Sequence, residues 1–293
     1  MANFLISSFA DEASSIFSEQ LSIMRNNDIA YLEMRAVDGK NIVDHSLENV
    51  HGYAAQLKEH GVGLSAVGTW FGKISVNDDF NPHLERFKRA VECAQILGAN
   101  AIRMFSFYIP EGMSHAQCRD VVMERLERFV EVCPPDVACY HENEKGIYGD
   151  DAEHCLDIYK SFKGKIKGIF DPANFIQCGV DTLEAYDILE DYIHYFHIKD
   201  AFMSTWSVVP AGEGDGKIPQ LISRVSKKSG DFFLSVEPHL QISEGIESLE
   251  DYIYSSKEQA YTTAVSALKS VLSGLGYNQT AHGEEKRWIR VSE

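Results

Sequence analysis

Residues 83–107, HLERFKRAVECAQILGANAIRMFSF, contain two successive patterns that decide the fold. From 83 to 98, apolar residues recur every three or four positions and the stretch ends at Gly98, which is typical of an amphipathic helix with a glycine at its C-terminus. The next stretch, 100–107, is short and apolar, as expected for a buried strand. A helix followed by a buried strand is one repeat of an alternating α/β protein.

Seven more short apolar or β-branched runs occur along the chain, with helical patterns between them. Strands that alternate with helices form parallel sheets. Eight such units without an intervening linker favour a single closed (β/α)8 barrel, the TIM barrel, and an open α/β sheet is the alternative. The eight runs are NFLISSF (3–9), IAYLEMR (29–35), VGLSAVGTW (62–70), NAIRMFSF (100–107), DVACYHEN (136–143), IKGIFD (166–171), IHYFHIK (193–199) and DFFLSVEP (231–238).

The domain organisation follows from the same patterns. A last helix is predicted at roughly 257–274, after the eighth strand. We therefore predict one barrel domain over residues 1–275 and a polar C-terminal tail over 276–293.

Composition and charge restrict the classes of partner. The chain is 44% hydrophobic and 24% charged, and no apolar run approaches the roughly 20 residues that span a bilayer, so we expect no membrane partner. The first residues, MANFLISSFADEAS, lack the basic start of a secretion signal, so we expect a cytoplasmic location. A net charge of −17 would repel a phosphate backbone, so we expect no nucleic acid partner.

The cysteines do not form a metal-binding or disulfide pattern. They are scattered through apolar segments without any C-x-x-C pair, which favours reduced, buried thiols. The six are Cys93, Cys118, Cys133, Cys139, Cys155 and Cys178.

Four consecutive strands end in side chains that can bind a metal. In a TIM barrel the carboxyl ends of the strands meet at one mouth, where the chemistry occurs. Three carboxylates gathered there would repel each other and take up protons unless a cation held them. Three oxygen donors and one imidazole suit one divalent ion, Mn²⁺, Mg²⁺ or Co²⁺, with Zn²⁺ as a further candidate. The four residues are Glu142, Asp171, His197 and Glu237.

The sequence resembles the sugar phosphate isomerase/epimerase superfamily of xylose isomerase-like TIM barrels. The resemblance extends from residue 1 to about 275 and rests on five motifs in the expected order. They are HENE (141–144), FDPANF (170–175), FHIKD (196–200), VPAGEGDG (209–216) and SVEP (235–238).

The resemblance implies a metal held by those four residues, with Glu142 and Glu237 also acting as a catalytic acid/base pair. One motif departs from the family: where several members have D-x-x-H, this chain has Asp171 followed by Asn174. An asparagine forms hydrogen bonds but does not shuttle protons near neutral pH. The remaining candidates for substrate binding are Lys199, Glu213, His239, Arg103 and Trp70, together with Asn174 itself.

The expected function is a metal-dependent isomerase or epimerase of a small sugar or sugar derivative. Proton abstraction next to a carbonyl would give an enediolate, and return of the proton would give either product. A metal-dependent dehydratase of a keto-cyclitol or sugar acid is the main alternative, because it starts with the same step. A non-catalytic sugar-binding barrel and an apurinic endonuclease-like hydrolase are further alternatives. The resemblance also implies a homodimer or homotetramer.

Overall fold

A computed structural model of the chain describes residues 1–240, 254–280 and 286–290. Eight parallel strands follow one another around a barrel, which closes because β1 pairs with β8 over its whole length. The TIM barrel prediction is confirmed. The strands are β1 (Ala2–Ser8), β2 (Tyr31–Met34), β3 (Gly63–Gly68), β4 (Ala101–Met104), β5 (Ala138–Glu142), β6 (Ile166–Phe170), β7 (Ile193–Ile198) and β8 (Gly230–Val236).

Helices cover the outside of the barrel, and their ends follow local sequence signals. The helix predicted at 83–98 spans Phe80–Leu97, with Asp79 capping its first turn and Gly98 in the left-handed conformation that ends it. Ser114 and Gln117 form a reciprocal capping box at the start of the next helix. The helices are α1 (Phe17–Asn26), α2 (Leu47–His60), α3 (Phe80–Leu97), α4 (His115–Val132), α5 (Ala152–Phe162), α6 (Pro172–Gln177), α7 (Thr182–Leu189), α8 (Ile218–Val225) and α9 (Lys257–Gly274).

The barrel contains a chain of hydrogen-bonded polar side chains as well as apolar ones. The Tyr195 hydroxyl on β7 lies 2.8 Å from the Ser65 hydroxyl on β3, which in turn forms a hydrogen bond with the Ser7 hydroxyl on β1. Because β3 and β7 are not neighbours in the sheet, their side chains meet across the barrel interior. One member of this polar chain, Tyr195, lies two residues before His197 on β7.

The described parts of the predicted polar tail include two antiparallel strands that pack on the barrel. These strands are β9 (Tyr277–Gln279) and β10 (Trp288–Arg290), and Trp288 pairs with Phe4 of β1. Tyr277 is buried and donates a hydrogen bond of 3.1 Å to the Ala2 carbonyl. The division of the chain at residue 275 stays a prediction.

The cysteines are all free thiols, four of them buried, with Cys133 and Cys178 half-buried. Cys133 Sγ and Cys139 Sγ lie 3.3 Å apart. Within the ranges that the structure describes, no helix is both long enough and apolar enough to cross a membrane.

One buried histidine holds the loop that follows β3. His83 on α3 accepts a hydrogen bond of 2.8 Å from the Gly72 amide through Nε2. A Cβ at Gly72, which has φ +92°, would lie 2.1 Å from the Phe105 carbonyl oxygen, so the loop passes very close to the chain after β4. Burial, with the charges of Arg86 and Arg125, lowers the pKa of His83 from 6.5 to about 4.

We expect this histidine to make stability dependent on pH. The folded state binds the proton more weakly than the unfolded chain, so stability falls as the pH drops from about 6.5 towards 4. Between about pH 8 and pH 5, the free energy of unfolding should fall by about 2 kcal/mol more in the wild type than in His83→Gln. Urea unfolding at both pH values measures this difference, and equal losses in the two proteins would contradict it.

Candidate active site at the carboxyl ends of the strands

The four predicted metal ligands meet at the mouth of the barrel. Glu142 is the last residue of β5, Asp171 follows β6 and caps α6, His197 lies near the end of β7, and Glu237 follows β8. One potential ligand atom from each residue lies within 4.8 Å of all the others, and all four side chains are buried. Their assignment as metal ligands stays a prediction, but the structure brings them together.

Two cations compensate the buried carboxylates. Lys199 Nζ lies 2.8 Å from Asp171 Oδ2 and 2.9 Å from Glu237 Oε2. Arg103 donates a hydrogen bond of 3.0 Å to Glu142 Oε2. Both are sequence-predicted substrate-binding residues, and both are almost fully buried.

The carboxylate pKa values follow from this arrangement. Burial would raise the pKa of Glu142, but His197 and Arg103 outweigh it and lower the pKa to about 2. Lys199 and neighbouring cations likewise outweigh burial at Glu237 and hold its pKa well below the usual range. Burial dominates at Asp171 and raises its pKa to about 7, against the opposing effect of Lys199. Two carboxylates are therefore held as anions, while Asp171 is the group that accepts a proton most readily.

His197 lies between two carboxylates. Its Nδ1 lies 3.1 Å from Glu142 Oε1 and its Nε2 lies 3.1 Å from Glu33 Oε2. Burial lowers the pKa of His197, but Glu142 and Glu33 outweigh this effect and raise it well above the usual range. Sequence reasoning did not single out Glu33. The available signal was a carboxylate in the middle of an otherwise apolar strand.

The donor set fits a divalent cation. Among the residues that the structure describes, Asp171 Oδ2 and His197 Nδ1 are buried atoms without a hydrogen-bond partner. Their contacts with Lys199 and Glu142 have ion-pair distances but lack hydrogen-bond geometry. Buried polar atoms normally have partners, so two unpaired donor atoms within one acidic cluster are consistent with a metal site. Three carboxylates and one imidazole suit Mn²⁺, Mg²⁺, Co²⁺ or Zn²⁺.

A cavity opens above the cluster and contains several of the predicted substrate-binding residues. Trp70, Arg103, Lys199 and His239 line it together with Glu142 and Glu237. Asp171 and His197 are not among its lining residues. The other lining residues are Arg35, Asn41, Thr69, Lys73, Phe105 and Glu144.

One side of the cavity is a second group of charges around Glu237. Arg35 forms ion pairs with Asp11, Glu12 and Glu237 at 2.8, 3.1 and 3.3 Å. His239 Nε2 lies 3.1 Å from Glu12 and 3.4 Å from Glu237. The His239 backbone has φ +46°, and its amide donates a hydrogen bond of 2.7 Å to Glu12, which holds the chain in this uncommon conformation. Sequence reasoning missed Arg35 and Glu12, because their partners are distant in sequence.

Asn174 contacts the cluster from the first turn of α6. Its side-chain amide donates hydrogen bonds of 3.1 Å to Glu142 Oε1 and 2.9 Å to the Asn143 carbonyl. Its backbone amide donates to Asp171, which caps the helix. The Asn174 side chain therefore contacts a candidate catalytic carboxylate. In the motif D-x-x-H of several family members, a histidine stands at the sequence position of Asn174.

Glu213 lies away from the cavity, on an exposed part of the glycine-rich loop. The buried Asp200 carboxylate fixes this loop by accepting hydrogen bonds from the amides of Gly212, Gly214 and Gly216 at 2.8 to 3.1 Å. A Cβ at Gly214 or Gly216 would lie 2.4 or 2.6 Å from Asp200 Oδ1, so both glycines allow close approach to the carboxylate. The buried Asp200 carboxylate therefore holds the backbone of this loop in place.

Comparisons with known proteins give the same fold. The IOLI protein with a bound zinc atom has a TM-score of 0.72 at 17% identity, covering 92% of this chain and 98% of that chain. The probable 3-DHS dehydratase AsbF of Bacillus anthracis has a TM-score of 0.68 at 16% identity, covering 92% of this chain and 99% of that chain. D-Psicose 3-epimerase of Clostridium cellulolyticum H10 has a TM-score of 0.67 at 12% identity, covering 91% of this chain and 98% of that chain.

No curated protein matches the sequence. The sequence model of the family described as Xylose isomerase-like TIM barrel, in contrast, matches residues 24–252. This match covers most of the chain, including the four strand ends of the candidate site. The chain therefore belongs to the xylose isomerase-like TIM barrel family.

Proposed function

We propose that this protein is a divalent-metal-dependent isomerase or epimerase of a small sugar or sugar derivative. The observation that carries the proposal is the convergence of Glu142, Asp171, His197 and Glu237 within 4.8 Å at the barrel mouth. Structures of similar fold include one described as a D-psicose 3-epimerase with D-tagatose and one with a bound zinc atom, which supports the proposal.

The metal ion would be held by the side chains of Glu142, Asp171, His197 and Glu237, and the candidate ions are Mn²⁺, Mg²⁺, Co²⁺ and Zn²⁺. When bound, a divalent ion polarises a carbonyl group and lowers the pKa of the neighbouring C–H bond. The pairing of Lys199 with both Asp171 and Glu237 provides positive charge within the same group of carboxylates.

Glu142 and Glu237 would transfer the proton. Both line the cavity, and nearby cations hold both as anions, so each is able to accept a proton from a substrate carbon. Removal by one carboxylate gives an enediolate. Return to the opposite face of the same carbon gives an epimer, whereas return to the adjacent carbon gives an aldose or ketose isomer.

The surrounding residues would orient these two carboxylates and the sugar. Arg103 holds Oε2 of Glu142 and Asn174 holds Oε1, which fixes the plane of the carboxylate. Lys199 lies in the cavity wall, where its ammonium group is able to donate a hydrogen bond to a sugar oxygen. Trp70 also lies in the wall, where it stacks on Phe71 and lies under the Arg86 guanidinium, so it would contact a sugar with the edge of its ring.

Proton–deuterium exchange tests this function directly. The protein, loaded with Mn²⁺, Mg²⁺, Co²⁺ or Zn²⁺, is incubated in D₂O with ketoses, aldoses, their phosphates and inososes, and NMR follows the C–H signals next to each carbonyl. We expect loss of one such signal, and we expect chelation of the metal to prevent it. The products then separate epimerase, isomerase and dehydratase. A protein with confirmed bound metal that exchanges no proton in this panel would contradict the proposal.

Replacement of the first catalytic carboxylate should stop the exchange. Glu142→Gln removes the base but preserves the shape of the side chain, so we expect the exchange rate to fall by at least about a thousandfold. Glu144→Gln is the matched control, because its carboxylate pairs with Lys73 at 2.7 Å and lies outside the four-residue cluster. We expect this control to lose less than tenfold. Wild-type exchange by Glu142→Gln would exclude Glu142 as the base.

Removal of the Asn174 amide should have a smaller effect. Asn174→Ala deletes a hydrogen bond to a charged carboxylate, worth about 1.5–3 kcal/mol, so the exchange rate at saturating sugar should fall by roughly 10- to 150-fold. Gln177→Ala, at the other end of α6 and away from Glu142, should retain the wild-type rate. Equal rates for the two variants would show that Asn174 does not orient the reacting carboxylate.

A further inference from the structure

Glu33 is a carboxylate enclosed inside the barrel below the candidate ligands. It lies on β2 and is fully buried. Its Oε2 accepts a hydrogen bond of 2.6 Å from the Tyr195 hydroxyl and lies 3.1 Å from His197 Nε2. Burial of a charged carboxylate is costly unless partners compensate it, so the contacts of Glu33 indicate what it does.

The two nitrogens of His197 face different carboxylates. Nε2 points to Glu33, whereas Nδ1 lies 3.1 Å from Glu142 Oε1 and 3.9 Å from Glu237 Oε2. A neutral imidazole has one N–H and one lone pair, and its partners decide which nitrogen carries the proton. Both neighbouring groups are carboxylates, which only accept hydrogen bonds, but only the contact between Nε2 and Glu33 has hydrogen-bond geometry, whereas Nδ1 has no hydrogen-bond partner. Glu33 therefore favours the proton on Nε2. The lone pair of Nδ1 then points into the acidic cluster.

We propose that Glu33 is the positioning residue for His197, holding its N–H on Nε2 so that Nδ1 becomes the ligand nitrogen of a bound divalent metal. The inference rests on the proposed metal site and assigns to it a residue that does not contact the substrate. Histidines that bind metals usually donate their other N–H to such an outer carboxylate, which orients the ring and strengthens the ligand.

The contacts of Arg103 extend the same arrangement to Glu142. Arg103 Nε lies 3.7 Å from Glu33 Oε1, and its Nη1 donates to Glu142 Oε2 at 3.0 Å. Glu33, His197, Glu142 and Arg103 therefore form a closed ring in which the two carboxylates alternate with the imidazole and the guanidinium. Through His197 and Arg103, Glu33 orients a candidate ligand and the candidate base together.

A zinc titration of the full-length protein tests the inference without any sugar. Glu33→Gln keeps the side-chain shape but removes the negative charge, and we expect it to bind Zn²⁺ about 10- to 100-fold more weakly than the wild type. Asp38→Asn is the matched control. Asp38 is also a carboxylate that accepts a hydrogen bond from a tyrosine hydroxyl, that of Tyr53 at 2.8 Å, but its other contact is with the Phe17 amide. We expect the control to change Zn²⁺ affinity by less than threefold.

Long-range ¹H–¹⁵N NMR of the zinc-loaded proteins gives a readout that a purely structural role would not change. In the wild type, His197 should show a protonated Nε2 and a metal-bound Nδ1. In Glu33→Gln, the Nε2–H signal should shift or broaden. If Glu33→Gln does not fold, as judged by circular dichroism, Glu33→Asp replaces it, because the shorter side chain keeps its charge but withdraws it from Nε2.

The outcomes separate this inference from the proposed function. If the folded Glu33→Gln variant binds Zn²⁺ with an affinity within threefold of the wild type, the proposed role of Glu33 is wrong. Zinc bound to Nε2 of His197 would also overturn it. A wild-type protein that binds zinc through Nδ1 but exchanges no sugar proton would contradict only the proposed function. A wild-type protein that binds no divalent ion would overturn both.

Discussion

The main physical constraint on this structure is the repulsion among several carboxylates in one buried site. Glu142, Asp171 and Glu237 approach one another at the barrel mouth, where water screens their charges poorly. Arg103 and Lys199 lie within 3.0 Å of them and compensate the charge. Such a cluster is costly in a folded protein, so its presence indicates selection for binding or chemistry rather than for stability.

Side chains in the barrel interior contact the residues of this site and hold them in position. The Tyr195 hydroxyl donates a hydrogen bond to Glu33 and lies within hydrogen-bond distance of the Ser65 hydroxyl, and these contacts join β7 to β2 and β3 across the interior. The Phe9 ring packs edge-on against His197 at 5.1 Å and lies under the guanidinium of Arg103 at 5.3 Å. The ring of His197 is therefore fixed by packing as well as by hydrogen bonds, as the proposed role of a metal ligand would require.

Loops around the mouth are also held by buried polar groups. His83 anchors the loop that contains Trp70 and Lys73, and Asp200 anchors the glycine-rich loop after β7. In both loops a glycine allows the backbone to approach a neighbouring oxygen more closely than any other residue would. Because Trp70 and Lys73 line the cavity, the His83 anchor fixes part of the cavity wall.

The sequence by itself determined the fold and the four central residues. Alternating strand and helix patterns predict a barrel, and in a barrel the strand ends must converge, so Glu142, Asp171, His197 and Glu237 could be identified from their positions alone. Only the tertiary structure decided which partners compensate them. Three such partners are Glu33 on β2, Arg35 just after β2 and Glu12 in the loop after β1. Their contacts, His197, Glu237 and His239, lie more than a hundred positions later in the chain, and no local sequence pattern connects them. It also decided that Glu213 lies outside the cavity, because Asp200 binds the loop backbone and leaves that side chain exposed.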